Sequence, residues 1–262
     1  MSRDDKNVLT GLARLLKDDI SLSRRQVCHL GAFFGLALTT LFPFQRRCAL
    51  AQETNSLKKG EKIMNLMPPI LDGNTSLEKA IQQRRTVRSF GNEPVTGQQF
   101  SQILWAAQGI TEAGGFKRTA PSGGALYPAD IYAVVGENCV EGLTAGVFHY
   151  RLEDHSVIKI LEGDSRKDVA AASLKQMWMA AAPVLFVITA EYDRICFKYG
   201  KRGIRYALIE MGHIGQNVFL QCQTLGLQAG IVGAFNDRDV AEAVGTAKNH
   251  EPLVIMPVGR QG

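Results

Sequence analysis

Arg84, Arg85, Thr86 and Arg88 place three guanidiniums and a hydroxyl within five residues. Guanidiniums grip phosphate oxygens in a forked geometry that lysine does not reproduce. The cluster therefore suits a phosphorylated ligand, and read alone it suits a solvated basic turn equally well. A second group is Pro121-Ser122-Gly123-Gly124-Ala125, where two glycines among small residues let the backbone approach something flat or charged. A third is the small-residue run over residues 226–235, in which Gly233 and Ala234 offer backbone N–H groups to a ligand edge, or else allow a strand to pack closely. Lys198 and Tyr199 stand side by side ahead of a long helix and suit either a proton-donor pair or a surface turn. Glu210 and His213 lie i, i+3 on that helix, but one such pair lacks the further ligands a metal requires. His213 is read as structural, and no metal site is expected. No dinucleotide fingerprint, phosphate loop of the G-x-x-x-x-G-K-[ST] type or G-x-S-x-G elbow is present.

The elements that must hold these groups follow from periodicity and caps. Thr75 to Glu78 has the form of a capping box, with a helix to about residue 83 that delivers the arginines at its end. Thr96 with Gln99 caps a second helix whose apolar face is Phe100, Ile103, Leu104 and Ala107. Strands are expected over residues 131–135, 146–151 and 157–161, and a helix over 165–182. Residues 184–190 are apolar on both faces, as in a buried central strand. The longest helix covers 202–225 and is stopped by Gly226. Residues 228–235, 238–244 and 253–258 complete the pattern as strand, helix and strand. Helices and strands mix without strict βαβ repeats, so the fold class is α+β: a central, mostly antiparallel sheet flanked by helices.

The chain has 262 residues and a formal charge of +5. Eight of its 30 basic and four of its 25 acidic residues fall within residues 1–51, leaving 22 against 21 in the remainder. The basicity belongs to the N-terminal segment, and no nucleic-acid partner is expected. Cys28, Cys48, Cys139, Cys196 and Cys222 match no zinc spacing and suggest no disulfide framework. Residues 1–51 read as an address. Arg24-Arg25 precedes an apolar run, and Ala49-Leu50-Ala51 ends the segment as a small-residue cleavage site before Gln52. The segment resembles a twin-arginine signal, which exports folded, cofactor-loaded proteins. The expected location is periplasmic, with a membrane anchor through an uncleaved signal as the alternative. Residues 52–73 read as a linker or arm, and 74–262 as a single domain.

Several of these stretches together carry a resemblance. Arg84-Arg85-Thr86-Val87-Arg88-Ser89-Phe90, the loop from Pro121 to Pro128, residues 230–235 and Pro257-Val258-Gly259-Arg260 occur in the order found in the nitroreductase family of flavin enzymes. Within that family the chain looks most like the SagB-type dehydrogenases, a subgroup that includes the thiazole/oxazole oxidases of peptide modification. Pro-Ser-Gly-Gly-Ala-Leu-Tyr-Pro, Val147-Phe148-His149-Tyr150 and Lys198-Tyr199-Gly200 carry that finer likeness. The resemblance implies an FMN-binding homodimer with its sites at the subunit interface. Arg84, Arg85, Thr86 and Arg88 would hold the FMN phosphate and ribityl chain, with Arg260 as a further phosphate contact. Ser122, Gly123 and Gly124 would approach the isoalloxazine, from the partner subunit, and Gly233 and Ala234 would present N–H groups near flavin N5. Lys198 and Tyr199 match the acid/base couple of the azoline-oxidising members. The implied activity is hydride transfer through flavin N5 by ping-pong chemistry, between a small-molecule or peptide substrate and an electron donor or acceptor. Azoline dehydrogenation and flavin binding without turnover are the alternatives. The Gly-Ala-Leu-Tyr-Pro run replaces the Asn-Ser-Gln-Pro-Trp-like run of other nitroreductases and points away from a nitroaromatic substrate.

Overall fold

The structure is a computed structural model that describes residues 63–262. The signal-like segment and the first half of the expected linker, residues 52–62, lie outside the described residues. Seven strands form one sheet in the order β1-β4-β3-β2-β5-β7-β6, every neighbouring pair antiparallel. They are β1 (Ile63–Asn65), β2 (Ala129–Val135), β3 (Gly146–Arg151), β4 (Ser156–Glu162), β5 (Val184–Ala190), β6 (Gln228–Ala229) and β7 (Glu251–Gly259). Within the segment read as linker or arm, β1 joins the sheet as an edge strand against β4.

The central pair shows why the sheet is covered on both sides. In β2, Ile131, Ala133 and Val135 enter one hydrophobic core, while Tyr132 and Val134 enter another. In β5, Val184, Phe186 and Ile188 face the first core and Leu185 and Val187 the second. Side chains alternate across a strand, so a run apolar at every position demands cover on each face. The first face is covered by α2 (Gly97–Gln108) and α5 (Arg202–Thr224), the second by α3 (Arg166–Ala172) and α6 (Asp237–Val244). The two remaining helices are short, α1 (Leu77–Gln83) and α4 (Asp193–Tyr199).

Local signals account for most boundaries. The Thr96–Gln99 capping box forms in full: the Gln99 N–H donates to Thr96 Oγ1 at 3.1 Å, and the Thr96 N–H donates to Gln99 Oε1 at 2.9 Å. The expected Thr75–Glu78 box does not form: the N-cap of α1 is Ser76, one residue further on, accepting from the Lys79 N–H. Gly226, at φ +68°, follows the last turn of α5 as the pattern required.

Two expected elements are shorter than the sequence suggested. The helix over residues 165–182 divides into α3 and a 3₁₀ turn at Met177–Ala181, with Leu174 and Lys175 left-handed between them. Ser173 Oγ donates back to the Val169 carbonyl, and the Asn236 N–H takes the Ala172 carbonyl, so a tertiary partner caps the helix where propensity alone would continue it. The strand over 228–235 reduces to β6 and one further bridge between Val232 and Ile255. A Cβ on Gly230 would lie 2.8 Å from the Val87 carbonyl and 3.1 Å from the Trp178 ring. The backbone of the arginine segment is thus pressed against this strand, and only glycine fits between them.

Candidate active site

The arginine turn is set by that close approach. Thr86 bridges Ala229 in parallel, the Val87 N–H donates to the Ala229 carbonyl at 3.0 Å, and the Gly91 N–H donates to the Arg260 carbonyl at 3.0 Å. One edge of the molecule therefore gathers Arg84–Arg88, the chain after β6 with Gly233 and Ala234, and the end of β7 with Arg260. Arg84 lies over the Phe219 ring of α5 at 5.1 Å. Arg85 donates to the Gln82 and Arg84 carbonyls at 2.8 Å each. Among the described residues no carboxylate pairs with Arg84, Arg85 or Arg88, and the N–H groups of Gly233 and Ala234 have no hydrogen-bond partner. A Cβ on Gly233 would meet nothing within 4 Å. Guanidiniums with no carboxylate partner among the described residues, beside an open backbone ledge, fit a phosphorylated, planar ligand. Arg260 differs: its Nε lies 2.7 Å from Glu93 Oε2 in an exposed pair that would have to open to reach a phosphate.

The second group is assembled on α5 and α4. Gly124 at φ +67°, Ala125 at +55° and Tyr127 at +47° give the glycine loop three left-handed residues, a concentration of backbone strain of the kind found at functional sites. The loop is pinned by the Tyr127 N–H donating to Ser122 Oγ at 3.0 Å and by Tyr127 Oη donating to the Phe116 carbonyl at 2.7 Å. A Cβ on Gly123 would stand 3.2 Å from Tyr206, and one on Gly124 would stand 2.5 Å from Tyr199 Oη and 3.1 Å from Lys198 Nζ. The loop and the lysine–tyrosine pair, some 70 residues apart in sequence, are in contact. The pair occupies the last turn of α4, a short helix separate from α5, instead of the entrance to the long helix. Gly200 at φ +54° turns the chain between the two helices. Tyr199 packs edge-on against Tyr206, with ring centroids 5.1 Å apart.

Beneath the loop lies a residue whose role the sequence did not disclose. A cavity of about 210 Å³ is lined by Pro121, Ser122, Gly123, Tyr206, Ile209, Glu210 and His213. Two larger clefts, of about 470 and 410 Å³, lie beside the segment after β1 and contain none of the expected site residues. Glu210 is 1% exposed. Gln108 Nε2 donates to its Oε1 at 2.9 Å, while its Oε2 has no hydrogen-bond partner. Burial pushes its carboxyl up to about 7, partly offset by the Ser122 hydroxyl, Arg118 and the Ala129 N–H. The available signal was its register: Gly203, Ala207, Met211, Ile214 and Val218 form the buried stripe of α5, and Glu210 falls on it. His213 faces outward, its Nδ1 3.2 Å from the Pro121 carbonyl, so Glu210 and His213 do not converge.

An antiparallel sheet covered on both faces carries a strained glycine loop against a lysine–tyrosine pair and an arginine turn with no carboxylate partner among the described residues, all within one α+β domain. Residues 81–260 match the model of the nitroreductase family. The chain is 44% identical over 185 residues to MJ1384 of Methanocaldococcus jannaschii, which carries the nitroreductase name, covering 71% of this chain and 91% of that protein. It is 25% identical over 163 residues to the microcin B17-processing protein McbC of Escherichia coli, covering 60% and 59% respectively. A nitroreductase-type structure from Ralstonia eutropha superposes with a TM-score of 0.66 at 26% identity, covering 76% of this chain and 90% of that one. The chain belongs to the nitroreductase family.

The buried carboxyl has a measurable signature. Between the ordinary value of 4.5 and about 7, the folded protein keeps a proton on Glu210 that the unfolded chain has released. Stability from this group is therefore complete below the lower value and falls as pH rises through the upper one. Glu210→Gln removes the titration. Urea unfolding at pH 4.5 and pH 8 is expected to show wild type losing on the order of 3 kcal/mol more than the variant across that interval.

Proposed function

We propose that this chain is an FMN-dependent oxidoreductase that works as a dimer, with Lys198 and Tyr199 as its acid/base couple. The observation that carries the reading is the contact of that pair with the Gly123-Gly124 loop, on a chain whose arginine turn is free to take a phosphate. Bound FMN would supply the two-electron transfer, alternately accepting and returning a hydride. Arg84, Arg85, Thr86 and Arg88 would hold its phosphate end, and Gly233 and Ala234 would donate N–H groups to the ring edge. Ser122, Gly123 and Gly124 would lie against the ring face. Lys198 and Tyr199 would hold and move the proton that accompanies the hydride, at the substrate atom that gains or loses it.

The dimer is supported by spacing. The glycine loop meets α5 at Tyr206 and the arginine turn meets it at Phe219, about 20 Å apart along the helix. Two copies, each giving its loop to the other's arginine turn, would bring the halves together. Ile204, Leu208 and Ile209 of α5, with Leu77 and Ile81 of α1, are exposed apolar residues that such a contact would cover. Purified protein is expected to be yellow with a flavin absorbance band and to bleach on anaerobic titration with its reductant. A colourless protein that gains no melting temperature on adding FMN would overturn the reading. Gly124→Val forces a branched side chain into a left-handed position against Tyr199. It is expected to weaken FMN binding by at least about tenfold, roughly 1.4 kcal/mol, while sedimentation shows the dimer intact.

A second reading is favoured by the same pair. McbC carries a peptide-processing name, and the Lys198–Tyr199 arrangement suits taking the proton from a thiazoline or oxazoline ring as its hydride passes to the flavin, two electrons and two protons in all. On such a heterocycle-bearing peptide, Lys198→Ala and Tyr199→Phe are each expected to lower kcat by about 10²–10⁴ with FMN content unchanged. Retained turnover would assign the pair a structural role. Residues 1–51 are proposed to direct export, which leaves a quinol or a small redox protein as a donor more accessible than the cytoplasmic nicotinamide pool. Expression in a host with a twin-arginine pathway should yield a mature chain beginning at Gln52 by mass spectrometry; an uncut cytoplasmic product would remove export from the proposal.

A further inference from the structure

α4 is a two-turn helix that carries the lysine–tyrosine pair, yet it buries only Ile195. The small core it joins contains just two other buried residues, Ala190 and Ala207, and Phe197 stands 77% exposed. Apolar packing on that scale gives little hold on the position of a helix. Cys196, Tyr199, Tyr206 and Leu126 add partly buried contacts, and a charged network at its first turn supplies a directional anchor. Arg194 NH1 is 2.7 Å from Asp130 Oδ2 and 3.4 Å from the Tyr127 carbonyl, and its Nε is paired with Glu191. Asp130 is almost fully buried at the start of β2. His149 Nε2 of β3 lies 3.1 Å from its Oδ1, and His250 Nε2, next to β7, lies 3.6 Å from its Oδ2. His250 is held in turn through Nδ1, 2.8 Å from Tyr132 Oη.

The three side chains Asp130, His149 and His250 bring possible ligand atoms within 4.8 Å of one another. The Arg194 guanidinium already stands on Asp130 Oδ2, however, and a divalent cation there would face that charge directly. The cluster is a hub for an arginine. Burial works against the Asp130 charge, but His149, Arg194 and His250 outweigh it and hold the carboxyl down at about 2.

Arg194 and Lys198 are four residues apart and so share one face of α4. The same guanidinium reaches the Tyr127 carbonyl, at the end of the glycine loop. We propose that the Arg194–Asp130 ion pair is the positioning element of the site: it locks α4 and the loop to the end of β2, and thereby sets where Lys198 and Tyr199 stand against Gly124. The proposal rests on the reading of that pair as the acid/base couple, but its test is separable from that reading.

The test uses full-length Arg194→Gln, with Arg194→Lys as the conservative variant. Amide hydrogen exchange is quantified peptide by peptide. Arg194→Gln is expected to raise amide exchange over residues 193–200 by about tenfold while that over residues 207–224 stays as in wild type. Arg194→Lys should restore much of the difference, and kcat should fall about tenfold or more while FMN content and KM hold. Should Arg194→Gln not fold, Asp130→Asn gives the same readouts with an isosteric side chain. Unchanged amide exchange over residues 193–200, or equal acceleration throughout α5, would overturn the proposal. So would a stoichiometric divalent cation that is lost in His250→Ala. If Lys198→Ala retains activity while the exchange result stands, the catalytic reading fails and the positioning survives.

Discussion

The central strands β2 and β5 leave no face for water, and the rest of the molecule follows from that. Every residue of both is buried. Alternating side chains feed two separate cores, so helices must close the sheet on each side. The hydrophobic contribution of that double cover is what fixes α5 across one face, and α5 is the element that both halves of the site touch. Phe219 meets Arg84 near one end, and Tyr206 meets Gly123 near the other. The spacing of the site is thus inherited from the length of one helix and from the core that holds it.

Two carboxylates at the margins of this core resolve the cost of burial in opposite ways. Asp130 is surrounded by an arginine and two histidines, and its charge is kept. Each of the two leaves one carboxylate oxygen without a hydrogen bond, but the partner of Glu210 is the neutral Gln108 amide, and the Glu210 proton is kept to about neutral pH. The difference lies in the partners and not in depth, since both are nearly inaccessible. One carboxylate anchors a helix through charge, while the other puts a neutral acid under the glycine loop.

Much of the fold was legible in the sequence because its signals are local. The capping box at Thr96, the stop at Gly226 and the two-sided apolar run over β5 each depend on neighbours within a few residues, and each appears where expected. The helix over 165–182 and the strand over 228–235 were misjudged because distant chain ends them: Asn236 caps α3, and the Val87 carbonyl crowds Gly230. Neither partner is visible in a window of ten residues.

The site divides along the same line. Residue type alone allowed the arginine turn to take a phosphate and the glycine loop to approach something closely, since guanidinium geometry and a missing Cβ are properties of single residues. Only the tertiary structure decided that Lys198 and Tyr199 face Gly124, that Arg260 is engaged by Glu93, and that Glu210 and Asp130 are buried charges of opposite fate. Those are facts about distance and solvent exclusion, and both are created when helices and strands remote in sequence pack together.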